Sequence, residues 1–139
     1  MIQFFYEDCE TSRFINEKDL LKTTQVIDNE GFIKGEISVI FCSDPYLLKI
    51  NKQHLNHDYY TDIITFSYVE DNVVSGDLFI SIDRVSDNAV QEGVSKSNEL
   101  ARVVIHGLLH LCGYNDKEEK DIKVMRVKEQ EYLSMIGFT

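Results

Sequence analysis

The sequence predicts an α+β fold, α/β-like in character: a small mixed four-stranded sheet with about five helices packed on it, in a single domain. Three observations point there. β-Branched and aromatic runs alternate with helical patterns through the first half of the chain. Two such runs, 62–68 and 76–82, are joined by a short polar loop, the pattern of an antiparallel pair. The remainder reads as helices separated by Gly or capping residues. A length of 139 residues fits one domain spanning 1–139, large enough to bury roughly two-thirds of its unfolded surface.

Residues 2–7 form the expected first strand. Glu17 to about Asn29 reads as a helix with Leu20, Leu21, Thr24 and Ile27 inward, stopped near Gly31. Residues 36–42 are strand-like, and Ser43-Asp44-Pro45 opens a helix running to about His54, with proline in its first turn. After the strand pair, a short helix covers Arg84 to Glu92 and ends at Gly93. Ser95 caps a helix running to Cys112. The last helix, Lys117 to Met135, carries Ile122, Met125, Glu129, Tyr132, Leu133 and Ile136 on one stripe.

Composition excludes several classes. With 43% hydrophobic and 27% charged residues the chain has a globular rather than a disordered balance. No apolar run approaches the ~20 residues that span a bilayer, so no membrane partner is expected. The N-terminus lacks the basic start and small-residue cleavage site of a signal peptide. Three cysteines, Cys9, Cys42 and Cys112, cannot make a complete disulfide framework, and a cytoplasmic location is expected. The net charge of −10 argues against indiscriminate nucleic-acid binding but leaves room for a local cationic site, which a bound dication would itself be.

The segment richest in chemistry is Val104-Ile105-His106-Gly107-Leu108-Leu109-His110-Leu111-Cys112-Gly113-Tyr114-Asn115-Asp116. On a helix the two histidines lie about 40° apart around the axis, with Cβ atoms roughly 5–6 Å apart. Gly113 can end the helix in a left-handed turn that brings Asp116 toward the same point. Two imidazoles and a carboxylate, with a fourth position left for water, are the ligand count of a hydrolytic zinc site. His106, His110 and Asp116 are the predicted metal ligands. Zn2+, one per chain, is the expected ion, although other divalent transition metals accept the same donors.

Competing readings stand beside this one. Asp116 can instead cap the last helix with Glu119 three residues on, unless Asn115 takes that role. Cys112 sits about 120° and 160° around the helix from the two histidines and reads as a small buried hydrophobe. Gly107 serves either close packing of another backbone or room for substrate beside the metal. His54 and His57 lie in a polar stretch and are either solvated or weak substrate contacts. Thr61-Asp62 and Gly76-Asp77 read as turns that start strands.

Taken together, Ile50-Asn51, Thr61-Asp62-Ile63-Ile64-Thr65-Phe66, Gly76-Asp77-Leu78 and the segment 106–116 resemble, in order and spacing, the YbeY family of bacterial metal-dependent endoribonucleases. There are two departures. The family's third histidine falls at Asp116, which adds negative charge and makes a bound water less acidic than three histidines would. An arginine usual in the family aligns with Leu55, and its absence leaves phosphate recognition to other groups, among them Lys49, Lys52, His54 and His57.

The resemblance implies a single-strand-specific endoribonuclease in ribosomal RNA processing, namely maturation of the small-subunit RNA 3′ end, and in ribosome quality control. It implies attack of a metal-bound water on the phosphodiester, with no catalytic side chain identified beyond the ligands. The implied partners are single-stranded RNA, ribosomal RNA and ribosomal proteins, with DNA not expected. Two alternatives remain from the residues themselves. A zinc metallopeptidase would share the ligand spacing but place a glutamate base at Gly107. A non-catalytic ribosome-associated protein would hold its metal in a closed shell.

Overall fold

The computed structural model describes residues 1–10 and 14–138. Four strands form one mixed sheet: β1 (Ile2–Tyr6), β2 (Ile33–Cys42), β3 (Ile63–Ser67) and β4 (Val73–Ser81), in the order β1-β2-β4-β3. β1 and β4 both run parallel to β2, and β3 pairs antiparallel with β4, so the predicted hairpin is present. The helices are α1 (Glu17–Leu21), α2 (Gln25–Asn29), α3 (Asp44–Leu55), α4 (Ile82–Glu92), α5 (Lys96–Leu111) and α6 (Glu119–Met135). With α1 and α2 counted as one interrupted helix, these are the five expected.

That interruption corrects the expected inward face. A 3₁₀ turn, Lys22–Thr24, separates α1 from α2. The Thr23 and Thr24 hydroxyls donate back to the carbonyls of Leu20 and Leu21, at 2.6 and 2.8 Å. Three residues per turn put Leu20, Thr23 and Val26 in line, and all three are buried. Leu21 turns to solvent instead, and Thr24 is only half-buried.

β2 and β4 are longer than their sequence patterns. A register shift between Lys34 and Ile37 lets Ile33 and Lys34 pair with Val73 and Val74. Gly76 is therefore no turn but a mid-strand residue. A Cβ there would sit 2.6 Å from the Phe66 carbonyl and 2.7 Å from Leu111, so glycine lets β3 and α5 approach β4.

The alternation along each strand divides two cores. Leu78 and Ile80 of β4 face the larger one with Val39 and Phe41 of β2. Phe79 and Ile64 face a smaller cluster under α3, with Leu47 and Cys42. α5 is the spine of the larger core and buries ten residues, among them Leu100, Val104, Ile105, Leu108 and Leu109. Each such aliphatic side chain contributes about 1.5–3 kcal/mol relative to exposure. α6 lies along α5 with Met125, Glu129, Tyr132 and Leu133 inward. Ile122, expected on that stripe, is 45% exposed because the first turn of α6 overhangs an open chamber. All three cysteines are free, and no helix among the described residues is long and apolar enough to cross a membrane.

Candidate metal centre

The predicted local geometry holds at both ends of α5. The Ser95 hydroxyl accepts from the Asn98 amide and caps the start. At the far end Gly113 adopts φ +102°, the left-handed region that glycine enters without a steric penalty. The Gly113 and Tyr114 amides donate to the carbonyls of His110 and Leu109, both at 3.0 Å. The chain folds back, and Asp116 Oδ2 arrives 3.2 Å from His106 Nε2 and 3.2 Å from His110 Nε2. The two Nε2 atoms are 3.0 Å apart. Asp116 caps nothing: α6 starts at Glu119, its flanking residue is Glu118, and Asn115 is not the cap either.

The partners of the other ring nitrogens decide what these atoms can do. His106 Nδ1 lies 2.6 Å from Glu129 Oε2, and His110 Nδ1 lies 2.9 Å from the Tyr114 carbonyl oxygen. Both oxygens can only accept once Glu129 is ionised, so each neutral ring carries its proton on Nδ1. Burial works against charge on Glu129, but its hydrogen bond to His106 and the adjacent Arg102 outweigh it, and its pKa is lowered. Both Nε2 atoms therefore point lone pairs at each other and at a carboxylate oxygen. With both rings neutral, three acceptors meet with no proton among them, an arrangement that suits a cation. Their separations match the roughly 3.3 Å edge of a ligand tetrahedron built from zinc bonds of about 2.0–2.2 Å. The residues fit a divalent transition metal.

A charged chain backs His106. Arg102 donates to both oxygens of Glu99, at 2.9 and 2.7 Å, and to Glu129 at 2.9 Å. Burial opposes the guanidinium charge, yet these two carboxylates raise the Arg102 pKa above its already high ordinary value. Glu99 and Glu129 are 2% and 1% exposed, so their pairing is obligatory. His110 rests on the turn that ends α5, and the Tyr114 hydroxyl, donating to the distant Glu30 at 2.7 Å, steadies the residue whose carbonyl receives Nδ1–H. Among the described residues no buried side-chain polar atom lacks a partner.

His106, His110 and Asp116 line a cleft of about 470 Å³, whose walls also include Leu55, His57, Asp62 and Lys117. His57 faces this cleft, stacked on Tyr59 at 5.1 Å. His54 is directed elsewhere, edge-on to Phe66 at 6.0 Å on the α3 side of the sheet. Leu55 stands on the cleft wall. Lys52 is engaged with Asp58 at 3.2 Å. Gly107 faces away from the ligands: a Cβ there would meet Ile63 at 2.7 Å and Leu78 at 2.9 Å, so it permits packing against sheet side chains rather than a backbone or substrate. Cys112 packs on the core, where burial raises its thiol pKa to about 11.

Several residues of the site have no counterpart in the sequence reading. Glu129 was legible as a stripe member but not as a partner of His106. Glu99, Arg102, His106 and His110 recur every three or four residues and form a polar stripe, the signal that could have revealed Arg102. Asp62 does start a strand, but it also accepts from Asn88 at 3.3 Å and lies 3.7 Å from Arg102. Burial raises its pKa, with Arg102 and His106 opposing.

Comparison with known proteins identifies the family. The family model described as endoribonuclease YbeY matches residues 6–137. A Flavobacterium johnsoniae protein named endoribonuclease YbeY is 53% identical over 110 residues, which cover 79% of this chain and 79% of that protein. A Bacteroides thetaiotaomicron protein of the same name is 54% identical over 118 residues, 82% of this chain and 86% of that one. A Thermotoga maritima protein known from a solution structure aligns at TM-score 0.69 and 30% identity, over 98% of this chain and 89% of that chain. The match spans the sheet, the histidine helix and α6 alike, and the chain belongs to the YbeY family of endoribonucleases.

Proposed function

We propose that this chain is a zinc-dependent endoribonuclease for single-stranded RNA. Its proposed substrate is ribosomal RNA at the small-subunit 3′ end, and its setting is the cytoplasm, in ribosome maturation and quality control with ribosomal proteins as neighbours. The observation that carries the reading is the convergence of His106 Nε2, His110 Nε2 and Asp116 Oδ2 in the lining of an open cleft. A divalent cation held there supplies a water of lowered pKa and polarises a phosphoryl oxygen.

The chain's own groups do the rest. Glu129 and the Tyr114 carbonyl keep both Nδ1 atoms protonated, so both Nε2 atoms stay available. Asp62, anchored to Asn88, forms the floor that the cleft shares with α5. His57 and Tyr59 offer ring faces on the wall, which suits unpaired bases better than a duplex. The peptidase alternative lacks its base: position 107 faces Ile63 and Leu78, and no carboxylate belongs there.

Metal analysis of the purified protein, combined with cleavage of single-stranded RNA before and after chelation, tests the reading. Stoichiometric metal and chelator-sensitive RNA cleavage are expected. Proteolysis of an unfolded protein with RNA left intact would overturn it.

A further inference from the structure

A second chamber of about 260 Å³ opens on the α6 side of the metal centre. It shares Asp62, Ile63, His106 and Asp116 with the main cleft, so the two spaces adjoin the same four residues. The lining of each includes an exposed cation beside the carboxylates of Asp62 and Asp116, with Arg102 and Glu129 also lining the second chamber. Lys117 borders the main cleft, is exposed, and has no ion pair among the described residues. Arg126 borders the second chamber. Its side chain is 58% exposed, with only Nη1 near Glu129, at 3.7 Å.

Resting on the endoribonuclease reading, we infer that Lys117 and Arg126 are phosphate-binding residues at opposite mouths of a through-running channel. One RNA strand lies across the metal centre, with the reacting phosphodiester at the ligands and a neighbouring phosphate at each mouth. Leu55 leaves the α3 wall without a cation, and Lys117 supplies one to the same cleft from the other side. A passage open at both ends accepts an internal stretch of RNA and needs no chain terminus. Arg126 adds a planar fork that can hold phosphate with oriented hydrogen bonds, whereas Lys117 acts as a point charge.

The experiment uses the full chain loaded with zinc and a short single-stranded RNA, with binding followed from about 50 to about 200 mM salt. Lys117→Ala and Arg126→Ala are each expected to reduce the slope of log affinity against log salt by about 0.7, and the double variant by about 1.4. Arg126→Lys keeps the charge and retains the wild-type slope. Lys123→Ala, an exposed α6 lysine bordering neither space, also leaves it unchanged. In cleavage, the two alanine variants raise KM and spare kcat. A dinucleotide, too short to reach either mouth, binds all variants alike. Unchanged slopes at full zinc occupancy, with wild-type protein still cleaving RNA, overturn the channel and leave the endoribonuclease reading intact. Loss of zinc in Lys117→Ala or Arg126→Ala assigns that residue to support of the centre and overturns the inference for it. Failure of zinc-loaded wild type to bind or cleave RNA overturns both.

Discussion

His106 and His110 present the same atom to the same point, but they are held by opposite means. His106 leans on a carboxylate 23 residues further along the chain, itself clamped by the part-buried Arg102 guanidinium. His110 leans on a backbone carbonyl four residues away, in the turn that ends its own helix. One anchor is charged and tertiary; the other is neutral and local. The difference teaches that the centre is only half built by α5 and its turn, and that the other half depends on how α6 docks.

Removing Glu129 breaks this contrast hardest. Glu129→Ala leaves Arg102 with Glu99 and the more distant Asp62, 3.7 Å away, and leaves His106 Nδ1 without an acceptor. Breaking such a buried pair costs about 3–5 kcal/mol, and losing a carboxylate behind a ligating histidine lowers metal affinity about 10–100-fold. Denaturant unfolding of the apoprotein and metal titration should show both losses together. A variant that binds metal like wild type would show that the α6 anchor is dispensable.

Asp116→Ala separates what Glu129→Ala joins. Asp116 is 39% exposed and holds no cap, so apoprotein stability should shift by no more than about 0.5 kcal/mol. Bound metal should fall sharply all the same. Full metal content in this variant would remove Asp116 from the ligand set.

Acid should divide the centre from the fold in two stages. Both rings must keep a free Nε2, so protons compete with the metal and bound metal should fall as the pH is lowered. Glu129 and Glu30 have pKa values lowered from 4.5 in the fold. Burial opposes both shifts; hydrogen bonds from His106 to Glu129, and from Tyr132 and Tyr114 to Glu30, prevail. Groups of depressed pKa stabilise the fold above their unfolded value, and that contribution disappears as pH falls through the folded one. Metal loss should therefore precede unfolding, which belongs below about pH 4.5. Coincident midpoints by metal content and circular dichroism would contradict this order.

Tyr114→Phe gives the smallest effect and sharpens the local side. It deletes the hydroxyl bound to Glu30 but keeps the carbonyl bound to His110, so about 1 kcal/mol of stability should go while metal affinity holds. A metal deficit as large as that of Glu129→Ala would show that His110 also depends on a distant anchor.

The same contrast explains what the sequence could show. His106, His110, Gly113 and Asp116 were legible because helical spacing and a left-handed turn act over a few residues. The four strands and the Ser43, Ser95 and Gly93 boundaries were legible for the same reason. Glu129 was visible as one of a buried stripe, yet its partner depends on where α6 docks, which no local pattern encodes. Ile122 shows the converse error, since helical phase placed it inward while the first turn of α6 overhangs a chamber. Gly76 looked like a turn because glycine often marks one; here the closeness of β3 and α5 requires it. Lys117 and Arg126 carry no pattern at all, and only the shape of the passage brings them into consideration.

The clamp on His106 also has a consequence for the order of synthesis. Synthesis runs from the N-terminus, so α5 is made with both imidazoles before α6 exists. Until Glu129 follows, Arg102 has only Glu99 and Asp62, and His106 Nδ1 lacks the carboxylate that sets its tautomer and its aim. The ligand motif is thus translated ahead of the means to orient it, while the chain is still attached to a machine made of RNA.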